Sequence, residues 1–465
     1  MFIDREDELS DLEKRYNSKS AEFIVLYGRR RVGKSELIDE FVKGRNGIRL
    51  LAREESRSLQ LRGFSERLSA FFGDELLKKN PFSDWDSFFL YIERQAAGKR
   101  IVIAIDEFPY LVTGDSSLPS IIQDHWDRAL KNSRVFLILC GSSIRMMEDM
   151  TLSYTSPLYG RRTGQIRLRP FRFSDVSGSI GKDIKSAIEL YAVFGGTPAY
   201  ILSVDKKEDV SSNVRNLVLR TDSFLYGDIE FLLREELNEP RYYFSILYSV
   251  AKGSTKLSEI INDTGLERGT VAKYLSVLSD MDFIKREVPV TEDILRSRNG
   301  IYRLRDNFFR FWFRYVYPHK EEVENGSYDA VSEAIDKDRP LYTSRAFEEI
   351  CTEALELMHE SHSLPKIGNA GRWWYKDTEI DIIGVNDSTQ DIILAECKWS
   401  RDVDAERLLN SLKEKAQKVL WNRKTRKEHY VLFAQSFKNK NVSGARLLDL
   451  EDIAGVFKKH RAKTD

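Results

Sequence analysis

Two groups of residues have the types and spacing for phosphate chemistry. Gly28-Arg29-Arg30-Arg31-Val32-Gly33-Lys34-Ser35 is a complete G-x-x-x-x-G-K-S, set directly after the apolar run Phe23-Ile-Val-Leu-Tyr27. That order has a strand deliver a glycine-rich loop whose backbone N–H groups close around phosphate oxygens. A helix starting near Lys34 aims its positive end at the same anion. Lys34 is expected on the β- and γ-phosphates of ATP, and the Ser35 hydroxyl on Mg2+. Some 70 residues on, Arg100-Ile-Val-Ile-Ala-Ile-Asp-Glu107 ends a buried-strand pattern in two carboxylates. Asp106 is placed to hold Mg2+ through water, and Glu107 to orient and polarise the attacking water.

The second group lies near the other end. Trp373-Trp-Tyr-Lys-Asp-Thr-Glu-Ile-Asp-Ile-Ile-Gly384 reads as one alternating strand carrying Asp381, and Ile392-Ile-Leu-Ala-Glu-Cys-Lys398 as the next. Glu396 and Lys398 are two apart, so their side chains share a face, and a hairpin brings Asp381 to them. A carboxylate from the helical stretch Ala346–Leu355, Glu348 or Glu349, is a candidate fourth member. Paired carboxylates hold Mg2+, which neutralises a scissile phosphate and activates water, while a lysine steadies the developing charge. The alternative is a salt bridge to Lys398 alone.

These residues need elements to carry them. Val135-Phe-Leu-Ile-Leu-Cys140 reads as a third parallel strand, followed by Ser142 and Ser143, either of which is placed to sense a γ-phosphate. Arg161 and Arg162, between Gly160 and Thr163-Gly164, are candidates to stabilise transferring charge in the same chain or in a neighbouring copy. Residues 242–304 have the rhythm of three short helices and two strands, a helix-turn-helix with a wing. Arg268, Thr270 and Lys273 form the exposed face of its third helix. A role as packing lid is slightly favoured there over DNA contact. The aromatic run Asn307–Tyr317 reads as a buried helix joining domains, and the helix Leu408–Lys418 offers Gln417 or Lys418 to the second site. His359 and His362 are spaced for one helix face, which is read as solvated.

With 465 residues the chain needs several cores, and 42% hydrophobic with 31% charged residues excludes general disorder. No apolar run reaches membrane-spanning length, and three scattered cysteines imply no disulfide framework; a cytoplasmic protein is expected. Net charge is zero, yet residues 398–465 carry 17 Lys and Arg against 9 Asp and Glu. That basic end favours an anionic partner, DNA first.

The phosphate loop, Ile105-Asp-Glu-Phe108, Gly160-Arg-Arg-Thr-Gly164 and Gly195-Gly-Thr-Pro-Ala-Tyr200 together resemble the archaeal-type ATPase family, kin to the AAA+ and signal-transducing ATPases. The opening Phe2-Ile-Asp-Arg-Glu-Asp-Glu-Leu9 is similar to that family's adenine-side motif, with Asp4 where many relatives have Gly or Asn. The resemblance implies ATP and Mg2+ as cofactors and a nucleotide contact for Pro198. Residues 340–450 resemble the PD-(D/E)xK restriction-endonuclease-like superfamily, with Asp381 and Glu396-Cys-Lys398 in the motif positions and Ile380 replacing its proline. The expected α/β architecture is an AAA+-like parallel-sheet ATPase domain (1–235), a winged helix with an aromatic linker (236–318) and a restriction-endonuclease-like domain (319–465). The expected function is an ATP-hydrolysing switch controlling a Mg2+-dependent DNA-cleaving domain. The alternative is an ATP-gated docking adaptor with an inactive nuclease fold.

Overall fold

A computed structural model of the chain describes residues 5–237, 239–360 and 364–464, so Asp4 and His362 lie outside the described residues. Two compact units emerge, Met1–Arg169 and Pro170–Asp465.

The first unit is built on a five-stranded sheet. Its strands are β1 (Glu22–Tyr27), β2 (Gly47–Leu51), β3 (Ile101–Asp106), β4 (Val135–Gly141) and β5 (Gly164–Arg167), in the order β2-β3-β4-β1-β5. Every pairing is parallel. β1, β3 and β4 are buried along their whole length because both faces are covered, which is why they read as unbroken apolar runs. Alternate residues go to opposite cores. Phe23, Val25, Ile103 and Leu137 pack with the helices Arg57–Phe72 and Trp85–Ala96. Ile24, Leu26, Ala104 and Ile138 pack with Leu12, Leu37 and Phe41 from the helices Glu6–Asn17 and Lys34–Val42. The carboxyl ends of β1, β3 and β4 therefore open at one edge, carrying the phosphate loop, Asp106-Glu107 and Ser142.

The second unit begins with a helical segment and continues into helices Pro240–Lys252, Leu257–Thr264 and Arg268–Asp280. β6 (Ile284–Glu287) and β7 (Ile301–Leu304) follow as an antiparallel pair, giving the winged arrangement expected from the sequence. The aromatic run is buried, as its composition indicated. It is not one α-helix: Asn307–Phe311 is α-helical and Trp312–Val316 is a π-helix.

A 33-residue helix, Tyr328–Glu360, then leads into a second sheet. Its strands are β8 (Asn369–Tyr375), β9 (Thr378–Asn386), β10 (Asp391–Lys398), β11 (Lys427–Ala434) and β12 (Arg446–Leu448), in the order β12-β11-β10-β9-β8. β8, β9 and β10 form an antiparallel meander, and β10, β11 and β12 run parallel. The single strand expected over 373–384 is thus a hairpin, turned at Lys376-Asp377, with Lys376 at φ 52. One face of this sheet packs Ile392, Leu394 and Leu432 against Leu409, Leu412 and Ala416 of the helix Ala405–Ala416. The long helix packs on β9 and β10, where Phe347 meets Trp399 at 5.0 Å between ring centres.

Candidate functional sites

The phosphate loop of the first unit is shaped for an anion. A side chain at Gly28 would put its Cβ 2.3 Å from the Leu168 carbonyl oxygen, so only glycine allows the loop to leave β1 there. Val32 is buried beneath the loop. Arg31 and Gly33 take positive φ, 69 and 90, turning successive backbone amides toward the start of the helix Lys34–Val42. Lys34 is buried and its ammonium donates to the carbonyls of Gly28 (3.0 Å) and Arg29 (2.9 Å), which holds a positive charge within the loop. Arg30 donates to the Tyr110 hydroxyl at 3.2 Å, and buried Arg29 completes the basic rim.

Ser35 Oγ donates to Asp106 Oδ2 at 2.7 Å, so the hydroxyl and carboxylate expected around one cation already touch. Asp106 is 1% exposed and also accepts from Arg49 at 3.0 Å, whose guanidinium grips Asp39 as well. These are oxygen donors of the kind a hard divalent cation takes.

Glu107 follows in the left-handed region (φ 55, ψ 42), a strained conformation for a side chain that is not glycine. Its Oε2 accepts from the hydroxyl (2.9 Å) and backbone N–H (3.3 Å) of Ser142 at the end of β4. Of the two serines the sequence left open, Ser142 is the one joined to Glu107; Ser143 begins the short helix Ile144–Met147. Arg161 is paired with Asp127 at 3.0 Å, and the Arg162 guanidinium lies 6.0 Å from the Tyr159 ring centre.

Pro198 belongs to the second unit, where it opens the short helix Pro198–Ile201. The segment before it is fixed from two sides. A Cβ on Gly196 would sit 1.8 Å from the Phe171 carbonyl oxygen, and Thr197 donates to Asp306 at 3.1 Å. Asp306 also caps the helix Asn307–Phe311 through the N–H groups of Phe308 and Phe309, directly after β7 of the wing.

The carboxylates of the second sheet converge as the spacing implied. Glu396, 1% exposed, lies on the same face of β10 as Leu394, looking toward the helix Ala405–Ala416. Lys398 Nζ is 2.9 Å from Glu396 Oε2 and 3.7 Å from Asp381 Oδ2, and the Cys397 N–H donates to Asp381 at 2.8 Å. Burial, and then the neighbouring Glu396 carboxylate, push the Asp381 carboxyl above its ordinary range, against the pull of Lys398. Glu348, on the long helix, pairs with Arg372 at 2.6 Å; burial raises it to about 7, Arg372 opposes that, and Asp381 adds to it. Glu349 turns to the wing instead and pairs with Lys285 of β6 at 3.3 Å.

Sequence reasoning missed Lys415, which donates to Glu396 Oε1 at 2.6 Å. The signal was its place between buried Leu412 and Ala416, on the sheet-facing edge of its helix. Gln417 is exposed, and Lys418 reaches Thr378 at 2.7 Å. Among the described residues no group of three or more His, Cys, Asp and Glu side chains is arranged to hold a metal ion. Asp381 and Glu396 are two donors, which suits a cation that completes its shell with water and substrate phosphate.

The winged helix presents Arg268, Gly269, Ala272, Lys273 and Ser276 on its third helix, and Leu295, Arg296 and Arg298 on the wing loop. Its wing is docked within the same unit, where the Val290 N–H donates to the Arg372 carbonyl at 2.9 Å.

Residues 2–204 match a family described as "ATPase domain predominantly from Archaea". Residues 245–286 match "Bacterial regulatory protein, arsR family", and residues 312–418 match "Archaea bacterial proteins of unknown function". The chain is 34% identical over 458 residues to the uncharacterized protein MJECL04 of Methanocaldococcus jannaschii, covering 98% of this chain and 100% of that one. The uncharacterized ATP-binding protein MJ0423 of the same organism is 49% identical over 45 residues, 10% of this chain and 76% of that one. Among solved structures, the Walker-type ATPase PABY2304 of Pyrococcus abyssi shares the fold at TM-score 0.50 and 21% identity, over 67% of this chain and 96% of that one. Among the described residues no helix is long and apolar enough to cross a membrane.

Proposed function

The chain carries a P-loop ATPase domain of the family found predominantly in Archaea, and on that premise we propose that it is an ATP-driven switch acting on DNA, in which Asp381, Glu396 and Lys398 of the second unit cleave phosphodiesters with Mg2+. In the first unit the loop amides and Lys34 bind the β- and γ-phosphates. Ser35, with Asp106 behind it, would hold Mg2+, which supplies charge neutralisation on the phosphates. Glu107 orients the attacking water and accepts its proton, and Ser142 sets where that carboxylate points. Arg161 or Arg162 steadies the charge on the transferring phosphoryl group.

DNA as the partner is supported by the arsR-type match, by the small and basic residues on the third helix of the winged domain, and by the basic C-terminal stretch. The cleavage reading rests on one observation: two buried carboxylates on adjacent strands share a lysine at 2.9 and 3.7 Å. There Asp381 and Glu396 would hold the cation, whose chemistry is activation of water beside the scissile phosphate. Lys398 stabilises charge on that phosphate, and Glu348 borders the site.

A specific observation favours a second reading, an ATP-gated DNA-docking adaptor. Glu396 already has a lysine on each oxygen, so the cluster is charge-balanced as it stands. The two readings separate on a panel of single-stranded, duplex and branched DNA incubated with Mg2+, with and without ATP. Cleavage by the wild-type chain that disappears in Asp381→Ala, with ATP hydrolysis retained, is the expected result. Cleavage that persists in Asp381→Ala removes these residues from the reaction, and binding without cleavage leaves the adaptor.

A further inference from the structure

We infer that Lys415 gates the carboxylate cluster of the second sheet: its ammonium covers one oxygen of Glu396 until a DNA phosphate draws it off, so cation and DNA enter together. This rests on reading Asp381 and Glu396 as the cation-holding pair.

Glu396 is buried to 1% exposure and both its oxygens are taken, Oε2 by Lys398 at 2.9 Å and Oε1 by Lys415 at 2.6 Å. The lysine side chains are 42% and 29% exposed, so the two ammonium groups sit on the solvent side of carboxylates that lie beneath them. Asp381 and Glu396 bring two negative charges and the lysines two positive ones. A divalent cation entering that set meets like charge at both oxygens of Glu396, which like-charge repulsion opposes.

The two lysines are not equivalent. Lys398 lies on β10 itself and stands near both carboxylates, so its charge stays with the cluster whichever oxygen it favours. Among the described residues Lys415 pairs with Glu396 and not with Asp381, and it comes from a different element. Its helix is fixed to the sheet by buried Leu412 and Ala416, which leaves the four-carbon stem as the moving part. A lysine ammonium also binds phosphate oxygens, as a point charge. A backbone phosphate approaching the exposed side of the cluster therefore offers Lys415 a second anion, and its departure opens Glu396 Oε1 to the cation. By linkage, whatever the phosphate does for the cation, the cation does for the phosphate.

The test is Mn2+ binding to the full chain without nucleotide, followed by electron paramagnetic resonance of the free ion. Binding lost on Asp381→Ala defines the C-terminal contribution. Lys415→Met removes the charge, and Lys415→Gln retains a hydrogen-bonding head as a guard against misfolding. Without DNA, both variants should bind Mn2+ about tenfold more tightly than wild type, within the usual range for coupled sites. A non-cleavable phosphorothioate duplex should tighten Mn2+ binding by the wild type about as much, and should leave both variants unchanged. Equal Mn2+ affinity in wild type and variants, or DNA coupling that survives both substitutions, overturns the gate. If Asp381→Ala removes no Mn2+ binding from the wild type or from the Lys415 variants, the cation-site reading itself fails, a result distinct from failure of the gate alone.

Discussion

At the scale of single residues, both sites are held in poised contacts. Lys34 is turned onto loop carbonyls, Ser35 touches Asp106, and Glu107 is tied to Ser142. The Glu107–Ser142 contact carries a sharp consequence. A carboxylate in a left-handed backbone position has few ways to point, and the serine hydroxyl selects one of them. Ser142→Ala should leave nucleotide affinity near that of the wild type and lower kcat about 10- to 100-fold, because the water-orienting group is misplaced while the phosphate contacts stay intact. Single-turnover hydrolysis alongside equilibrium nucleotide binding reads this directly. An unchanged kcat would show that Ser142 does not set the position of Glu107. The motif residues were legible in the sequence because each answers to a fixed local spacing. The choice of Ser142 over Ser143 was not, because it depends on how two parallel strands end side by side. Lys415 was hidden for the same reason: it lies 19 residues from Glu396 and meets it only through packing of a helix on the sheet.

At the scale of elements, the parallel strands were the clearest part of the sequence, since burial on both faces writes itself as continuous apolar runs. Turns and long helices were harder. The turn at Lys376-Asp377 falls in the polar stretch Lys376-Asp-Thr-Glu379, and no glycine or proline there marks the hairpin. The 33-residue helix contains Pro340, a residue that normally signals an end. Caps fix some of these boundaries. Asp84 closes a capping box at the helix Trp85–Ala96, accepting from the Ser87 N–H at 2.7 Å. That backbone bond, with help from Ser83, holds the Asp84 carboxyl below its ordinary range of 3.8. A carboxyl depressed by folding contributes stability that is present above its unfolded pKa and is lost as pH falls through the folded value. Asp84→Ala should therefore cost about 1 kcal/mol near neutral pH. The difference from wild type should shrink as pH falls below 3.8, which denaturant titration at several pH values measures. A difference that does not change with pH would mean that the cap acts through packing and not through charge.

At the scale of the whole molecule, the sequence indicated three modules, while the described residues divide into two compact units. The reason lies in contacts that sequence order does not reveal. Within the second unit, Asp306 joins Thr197 to the helix after the wing. Lys285 of the wing pairs with Glu349 of the long helix, and the Val290 N–H of the wing donates to the Arg372 carbonyl of β8. Glu353 of the same long helix caps the short helix Phe173–Val176 through two backbone N–H groups, at 3.2 and 2.9 Å. The segment bearing Pro198, the winged helix and the carboxylate sheet are thus linked by specific polar contacts. Under the proposed function, a shift at the Pro198 segment has fixed partners within the second unit through which to act.

Under the proposed function, nucleotide bound by the first unit governs the affinity of the second unit for DNA. On the role proposed for Glu107, Glu107→Gln should bind ATP without activating water and so hold the triphosphate state, and ADP supplies the other state on the same protein. Fluorescence anisotropy of a labelled duplex should show DNA affinities for these two states that differ about tenfold or more. Identical affinities with ATP and with ADP would show that nucleotide state does not control DNA binding.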